Sequence, residues 1–256
     1  MPRTDPSAAP MLIKNIADKI QQDQVTFVVG AGMSTLANTI NGEPFPSSVG
    51  LATSLATHFH LRLAPPDKTN LAYVAQVVET EHGRDALHTW LEHQLSFDPN
   101  AIPREHKVLM KLATRVVTTN YDTLLDEAAR ALAPTKTFRV IRRPVDCSSL
   151  DGPILIKAHG CITVKESVVI TTTDYLNRLS RETILDTALR LLYAASDLVL
   201  LGFGAQDIDF LLKLNQIRED LGPFVHPLVA VMNCRSRVNL SVNCRVKMSL
   251  GGFKGE

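Results

Sequence analysis

Four short runs in this 256-residue sequence bring together residue types that can do chemistry. They are Gly30-Ala31-Gly32-Met33-Ser34, Thr118-Thr119-Asn120-Tyr121-Asp122, Lys157-Ala158-His159-Gly160, and Leu201-Gly202-Phe203-Gly204 continuing to Asp209. The first suits a phosphate. Glycine lets backbone amides approach a pyrophosphate, and a helix N-terminus offers unpaired N–H groups and the positive end of a dipole. Ser34 adds a hydroxyl donor. The third glycine of the full dinucleotide fingerprint is missing, since Leu36 and Ala37 follow, so this G-x-G also describes a plain tight turn. In the second run the Asn120 amide, donor and acceptor at once, suits a ribose hydroxyl or an attacking water. Asn120 or Asp122 equally suits the N-cap of a helix starting near Tyr121. His159 can accept a proton near neutral pH without a metal, its free imidazole having a pKa of about 6.5. Gly160 beside it would let a ligand approach the backbone. Gly202 and Gly204 would make room for an adenosine ribose or diphosphate, while Asp207 and Asp209 favour a first helical turn, capping being the default for Asp207.

These runs need a scaffold that delivers them to one edge. Val25–Val29, Arg115–Asn120, Pro153–Gly160, Asp197–Gly204 and Pro227–Met232 are apolar, β-branched runs of the kind buried on both faces of a parallel sheet. TFRVI, Ser167–Thr171 (SVVIT) and VNCRVKM in the tail read as further strand-like runs. Helical periodicity marks Ile13, Ile16, Ala17 and Ile20, the segment starting YDTLLDEAARAL, the stretch Asp174–Ala195, and IDFLLKLNQIRE. Residues 49–112 differ in character, with Ala, Leu, His and Gln at helical periods and breaks at Pro65-Pro66 and Pro99. They read as a helical module inserted after the first strand–helix turn. Strands alternating with helices predict an α/β Rossmann-like, doubly wound parallel sheet. A leader over 1–10 is expected to be flexible, with one domain over 11–256. In open sheets of this type ligands bind beyond the carboxyl ends of the strands, where all four runs fall.

Composition narrows the function classes. An apolar fraction of 45% and a charged fraction of 21% are ordinary for a soluble globular domain. The formal net charge of +1 gives no electrostatic case for nucleic acid. The Arg139, Arg142, Arg143 cluster is a local basic patch that either touches phosphate or sits in a solvated loop. Cys147, Cys161, Cys234 and Cys244 form no C-x-x-C pair, so neither metal-site spacing nor a disulfide framework is expected. The N-terminal stretch has neither the apolar core of a signal peptide nor the length of a membrane anchor, and with scattered thiols it points to a cytoplasmic protein. His58, His60, His82, His88, His93 and His106 in the helical module are expected to be exposed or partly packed.

The ordered set GAG-x-S, TTNYD, K-x-HG and LGFG-x-x-D resembles the Sir2-like family, and more closely the bacterial Sir2-like NADase domains of antiphage defence proteins. The resemblance spans roughly residues 25–232. It implies that Gly30, Ala31, Gly32 and Ser34 bind NAD, that Asn120 and His159 are catalytic, and that Asp122, Gly202, Phe203 and Gly204 complete the pocket. NAD is then a substrate, cleaved to nicotinamide and ADP-ribose in an antiviral, abortive-infection role, with a homo-oligomer or a fused or partner sensor protein as associates. No paired cysteines supply the zinc module of deacylating sirtuins, and the G-I-P-D-F-R stretch of sirtuins is absent. Asn41–Ser48 (NGEPFPSS) stands in that region, with Pro46-Ser47 expected to shape a lid over the nicotinamide ribose. These departures favour NAD hydrolysis, with no zinc, over peptide deacylation. A non-catalytic NAD- or ADP-ribose-sensing module and a sirtuin-type deacylase or ADP-ribosyltransferase are the competing readings. A dehydrogenase is disfavoured, since no acidic ribose partner follows a second strand.

Overall fold

A computed structural model describes residues 8–203, 208–222, 226–232 and 247–249. The apolar runs form β1 (Val25–Val29), β2 (Arg115–Thr118), β3 (Arg139–Ile141), β4 (Ile154–Lys157), β5 (Asp197–Leu201), β6 (Leu228–Met232) and β7 (Lys247–Ser249). They pair in parallel in the order β3-β4-β2-β1-β5-β6-β7. Every residue of β1 is buried, as a central strand covered by helices on both faces requires. The helices are α1 (Ala8–Gln21), α2 (Ala31–Ser34), α3 (Ser48–His58), α4 (Leu71–Gln94), α5 (Arg104–Leu112), α6 (Leu124–Arg130), α7 (Thr172–Ser180), α8 (Ile184–Ala195) and α9 (Ile208–Leu221). No helix among the described residues is long and apolar enough to cross a membrane.

Strand alternation divides the core. Val28, Val117, Ile156 and Leu200 pack against Leu185, Leu189 and Leu192 of α8 and Phe210 and Leu214 of α9. The other face packs Phe27, Val29, Val116 and Val199 against Leu109 and Met110 of α5, Leu125 and Ala128 of α6, and Ile16 and Ile20 of α1. A separate core joins α3 and α4 through Leu51, Leu55, Val74, Val78, Leu87 and Leu91. The segment between β1 and β2 carries helices and no strand of the sheet, but α5 belongs to the sheet's helical layer whereas α3 and α4 build their own.

Two sequence expectations change. SVVIT is no strand. Ser167 closes a 3₁₀ turn over Lys165–Ser167, and the following residues cross the end of β4 with Val168 and Ile170 buried in the α3–α4 core. Backbone amides there find non-sheet partners: Val169 donates to the His159 carbonyl at 3.0 Å and Ile170 to the Asp174 carboxylate at 3.0 Å. A β-branched run buried among helices carries the same composition as one buried in a sheet. The expected helical stretch 174–195 is instead two helices, each opened by a capping box, Thr171 with Asp174 and Thr183 with Asp186.

The register places four residues in one row across the sheet. Lys157 pairs with Thr118, Thr118 with Val29, and Val29 with Leu201. Each of the four candidate runs starts in this row or continues directly from it. With β2 on one side of β1 and β5 on the other, the connections leaving β1 and β5 diverge and open a crevice at their carboxyl ends.

The glycine turns at that crevice pack on each other. Gly30 N–H donates to the Leu201 carbonyl at 3.0 Å and Gly32 N–H to the Gly202 carbonyl at 2.8 Å. A Cβ on Gly32 would lie 2.7 Å from the Gly202 carbonyl oxygen, and one on Gly202, whose φ is +59°, would lie 2.2 Å from the Met33 nitrogen. Gly202 is thus required by two conditions at once, a left-handed backbone and a neighbouring main chain. Gly202→Ala should cost about 3 kcal/mol, combining roughly 1–2 for the left-handed conformation with about 1–3 for overpacking. Gly42→Ala, where φ is +81° but a Cβ meets nothing within 4 Å, should cost only the conformational part. Urea denaturation of both variants measures the difference, and equal losses would place no weight on the close approach.

Candidate functional site

At the head of β1 and β2 a buried network joins the first two runs. The side-chain nitrogen of Asn120 donates to the Gly30 carbonyl at 3.1 Å and to Ser34 Oγ at 2.9 Å. Ser34 Oγ donates to Asp122 Oδ2 at 2.7 Å, and Asp122 Oδ1 accepts from the Leu124 amide at 3.0 Å. Ser34, Asn120 and Asp122 are all buried. The backbone N–H of Asn120 is held by Thr118 Oγ1, which donates in turn to the Val29 carbonyl. Since a carbonyl only accepts, the contact with Gly30 fixes which way the amide faces. Both amide protons are committed, so what Asn120 has left to offer is Oδ1, as an acceptor. The Ser34 proton is committed as well, to Asp122. Asp122 accordingly does two things: it orders the entry to α6, whose N-cap is Thr123, and it anchors Ser34.

His159 follows β4 in the turn closed by the Gly160 amide donating to the Lys157 carbonyl at 2.9 Å, two residues past Lys157 as Asn120 is two past its registered partner Thr118. The imidazole is buried, its Nδ1 faces the Tyr175 hydroxyl of α7 at 3.4 Å, and the two rings meet edge to face at 5.3 Å. The strand end beneath it is fixed: the Ala158 amide donates to the Thr118 carbonyl at 2.7 Å, and the Ala158 carbonyl accepts from Arg178. Arg178 also binds Asp186, which Lys213 reaches at 3.2 Å. The space beside Gly160 is taken by protein. Its φ is +78°, and a Cβ there would lie 2.0 Å from the Ser167 carbonyl oxygen, so this glycine serves the turn and the crossing loop instead of a ligand.

Other expected residues fall as follows. Gly30, Gly32 and Gly202 line the crevice as backbone, with Ala31 opening α2. The Phe203 ring packs into the core against Phe210, at 4.6 Å between centroids, and its Cδ2 would lie 3.1 Å from a Cβ placed on Gly30. Gly204 and Asp207 lie outside the described residues, as do Cys234 and Cys244. Within NGEPFPSS, Phe45 is buried against Phe97, and Ser47 caps α3 by accepting from Gly50 at 3.1 Å. The basic cluster is engaged by protein: Arg139 with the Ser149 carbonyl, Arg142 with Asp126, and Arg143 with Asp146 and Glu166. Among the described residues no group of three or more His, Cys, Asp or Glu is placed to hold a metal ion.

Two features escaped the sequence reading. The first is a buried charge cluster below Asn120 and His159. Lys157, wholly buried, donates to the Asp122 carbonyl and to Asp126 Oδ2 at 3.2 Å, and Arg142 donates to Asp126 Oδ1 at 2.6 Å. Burial opposes the charge on Asp126, but Lys157 and Arg142 outweigh it and hold the carboxyl below the ordinary range. Burial likewise opposes the charge on Lys157, and Asp126 raises its ammonium above the usual lysine value. The second is His106 of α5, expected to be exposed or partly packed and in fact 1% exposed, with no hydrogen-bond partner for either ring nitrogen among the described residues. Burial pushes that imidazole down in pKa, against the pull of Asp122 and Glu105. His88 is buried too. The helical spacing of α5 puts His106 on the face that carries Leu109 and Met110, the signal that was available.

Two interlocked glycine turns, with a buried asparagine and a buried histidine just past neighbouring strand ends, lie at the carboxyl edge of the parallel sheet that the Sir2-like resemblance implies. The comparisons agree. The model of the SIR2-like domain family matches residues 114–248, and the chain belongs to that family. It is 27% identical over 217 residues to Defense-associated sirtuin 2 of Bacillus subtilis, a match covering 81% of this chain and 20% of the relative. The chain thus spans about one fifth of that relative's length.

The buried cluster gives stability a pH dependence of definite sign. Asp126 titrates in the folded protein below its unfolded value near 3.9. Its contribution is complete above that pH and is lost as pH falls through the lower native value. Asp126→Asn should cost roughly 3–5 kcal/mol near neutral pH, because it leaves buried Lys157 without its counter-charge. It should also make the acid limb of stability against pH shallower by one carboxyl's share. Urea midpoints from pH 7 down to pH 3 measure both, and an acid limb as steep as the parent's would assign the sensitivity to other carboxylates.

Proposed function

We propose that this chain is an NAD glycohydrolase domain, cleaving NAD to nicotinamide and ADP-ribose as an effector of antiviral defence in the cytoplasm. The observation that carries the reading is that Asn120 and His159 are both buried two residues past the registered pair Thr118–Lys157 of adjacent strands, with Asn120 oriented so that only its oxygen is left to act. An acceptor there suits a water or a ribose hydroxyl, which must be held by one of its own protons.

Chemically, the bond from ribose C1′ to the nicotinamide nitrogen breaks and both electrons leave with the nitrogen. Nicotinamide departs neutral and the ribose takes on oxocarbenium character, as in other glycosyl transfers. Water adds through oxygen at C1′, and its proton passes to His159 and then to solvent. Asn120 Oδ1 orients the water, and His159 accepts the proton. The developing cation is favoured by fixed dipoles in a water-poor site more than the ground state is. The diphosphate lies at the Gly30–Gly32 turn, where α2 begins. Ser34 and Asp122 act through Asn120, by holding its amide. The relation to a defence-associated sirtuin supports the defence role, and the absence of a paired-cysteine motif favours hydrolysis over deacylation.

Purified protein incubated with NAD, with products separated chromatographically, tests the reading. The expected result is nicotinamide and ADP-ribose in equal amounts, with His159→Ala and Asn120→Ala each reducing turnover by about 10²–10⁴-fold while NAD still binds. Undiminished nicotinamide release from a His159→Ala protein that binds NAD would remove His159 from the mechanism. Binding without turnover by the parent protein would favour the sensing module instead.

A further inference from the structure

We infer that Lys157 is a positioning residue for this reaction, holding the loop that carries Asn120 against the strand that leads into His159. The inference rests on the hydrolase reading above and goes beyond it, since Lys157 touches neither NAD nor water in that mechanism.

Lys157 ends β4 inside the sheet with 0% exposure, where a lysine is costly and an apolar residue would pack without desolvating a charge. What an apolar residue could not do is donate. The Lys157 ammonium reaches two acceptors on a different segment, the main-chain carbonyl of Asp122 and the carboxylate of Asp126. Asp126 is held from its other oxygen by Arg142 at 2.6 Å, so the carboxylate is gripped on both sides.

The consequences run in two directions from Lys157. Through Asp122 they reach Ser34 at 2.7 Å, and through Ser34 they reach the Asn120 amide at 2.9 Å. Along β4 they reach His159 across one intervening residue, Ala158, whose amide and carbonyl are both bound. Lys157 therefore ties the loop after Asn120, from within the sheet, to the end of the strand that leads into His159. Misplacement of reacting groups by about 1 Å costs on the order of 10²-fold in rate, and the loop anchor sets that distance.

The test compares Lys157→Met with the double variant Lys157→Met/Asp126→Asn. The single variant leaves the buried Asp126 carboxylate with Arg142 as its one remaining counter-charge in the cluster. The double variant removes both charges of the pair, a replacement that folded proteins tolerate far better. Steady-state nicotinamide release is measured well below each variant's unfolding transition and scaled to folded protein. A positioning role predicts that kcat per folded molecule falls about 10²-fold in the double variant, with KM for NAD within about threefold of the parent. A purely structural role would lower the unfolding temperature and leave kcat per folded molecule within about twofold of the parent, and that result overturns the inference. The parent's own turnover separates the two levels. No release by the parent defeats the hydrolase reading and this inference with it, whereas parental release matched by the double variant defeats this inference alone.

Discussion

The close approach of two main chains is the constraint on which this molecule depends. The turn after β1 and the turn after β5 meet main chain to main chain at Gly32 and Gly202, with Phe203 closing on Gly30. Hydrogen bonds from Gly30 and Gly32 to the Leu201 and Gly202 carbonyls close the contact. This sets the width of the crevice at the middle of the sheet. It also fixes where α2 starts, and hence where Ser34 meets Asn120 and Asp122. The glycines that read in the sequence as space for a ligand are in good part space for each other.

From this contact outward the site is assembled by register. One row of paired residues, Leu201, Val29, Thr118 and Lys157, aligns the four strand ends, so residues far apart in sequence arrive at one height. Parallel pairing without a slip sets Thr118 beside Lys157, with Asn120 and His159 each following two residues later, and the alternation of the strands keeps their approaches buried in two different cores. Below them the Lys157–Asp126–Arg142 cluster replaces what would otherwise be unsatisfied polar atoms in the loop.

Much of the scaffold was legible because its signals are local. Runs such as Val25–Val29 and Asp197–Leu201 are continuous apolar strands whose length and flanking glycines separate them from helices. The type and place of Asn120 and His159 were legible for the same reason, as polar residues closing such runs. What sequence could not carry was partnership at long range. The Ser34–Asp122 bond spans 88 positions, and nothing local marks Ser34 as a donor already in use. Lys157 was visible as a letter in its motif, but its burial depends on Asp126 and Arg142 coming from elsewhere. SVVIT failed for another reason: burial against helices and burial in a sheet select the same β-branched residues, and only the partner of each amide tells them apart.

The loop that crosses the end of β4 holds one more consequence. The peptide group between Val168 and Val169 accepts from Arg84 of α4 through its carbonyl and donates through its N–H to the carbonyl of His159 at 3.0 Å. A peptide unit is planar and stiff, so this one works as a crank between two levers. Arg84 sits immediately after Gly83, where the backbone of α4 leaves helical geometry at φ 85° and ψ 161°. The point at which α4 bends is thus coupled to the main chain of His159 through a single rigid plane, and the helical module and the imidazole share one mechanical linkage that bypasses the sheet.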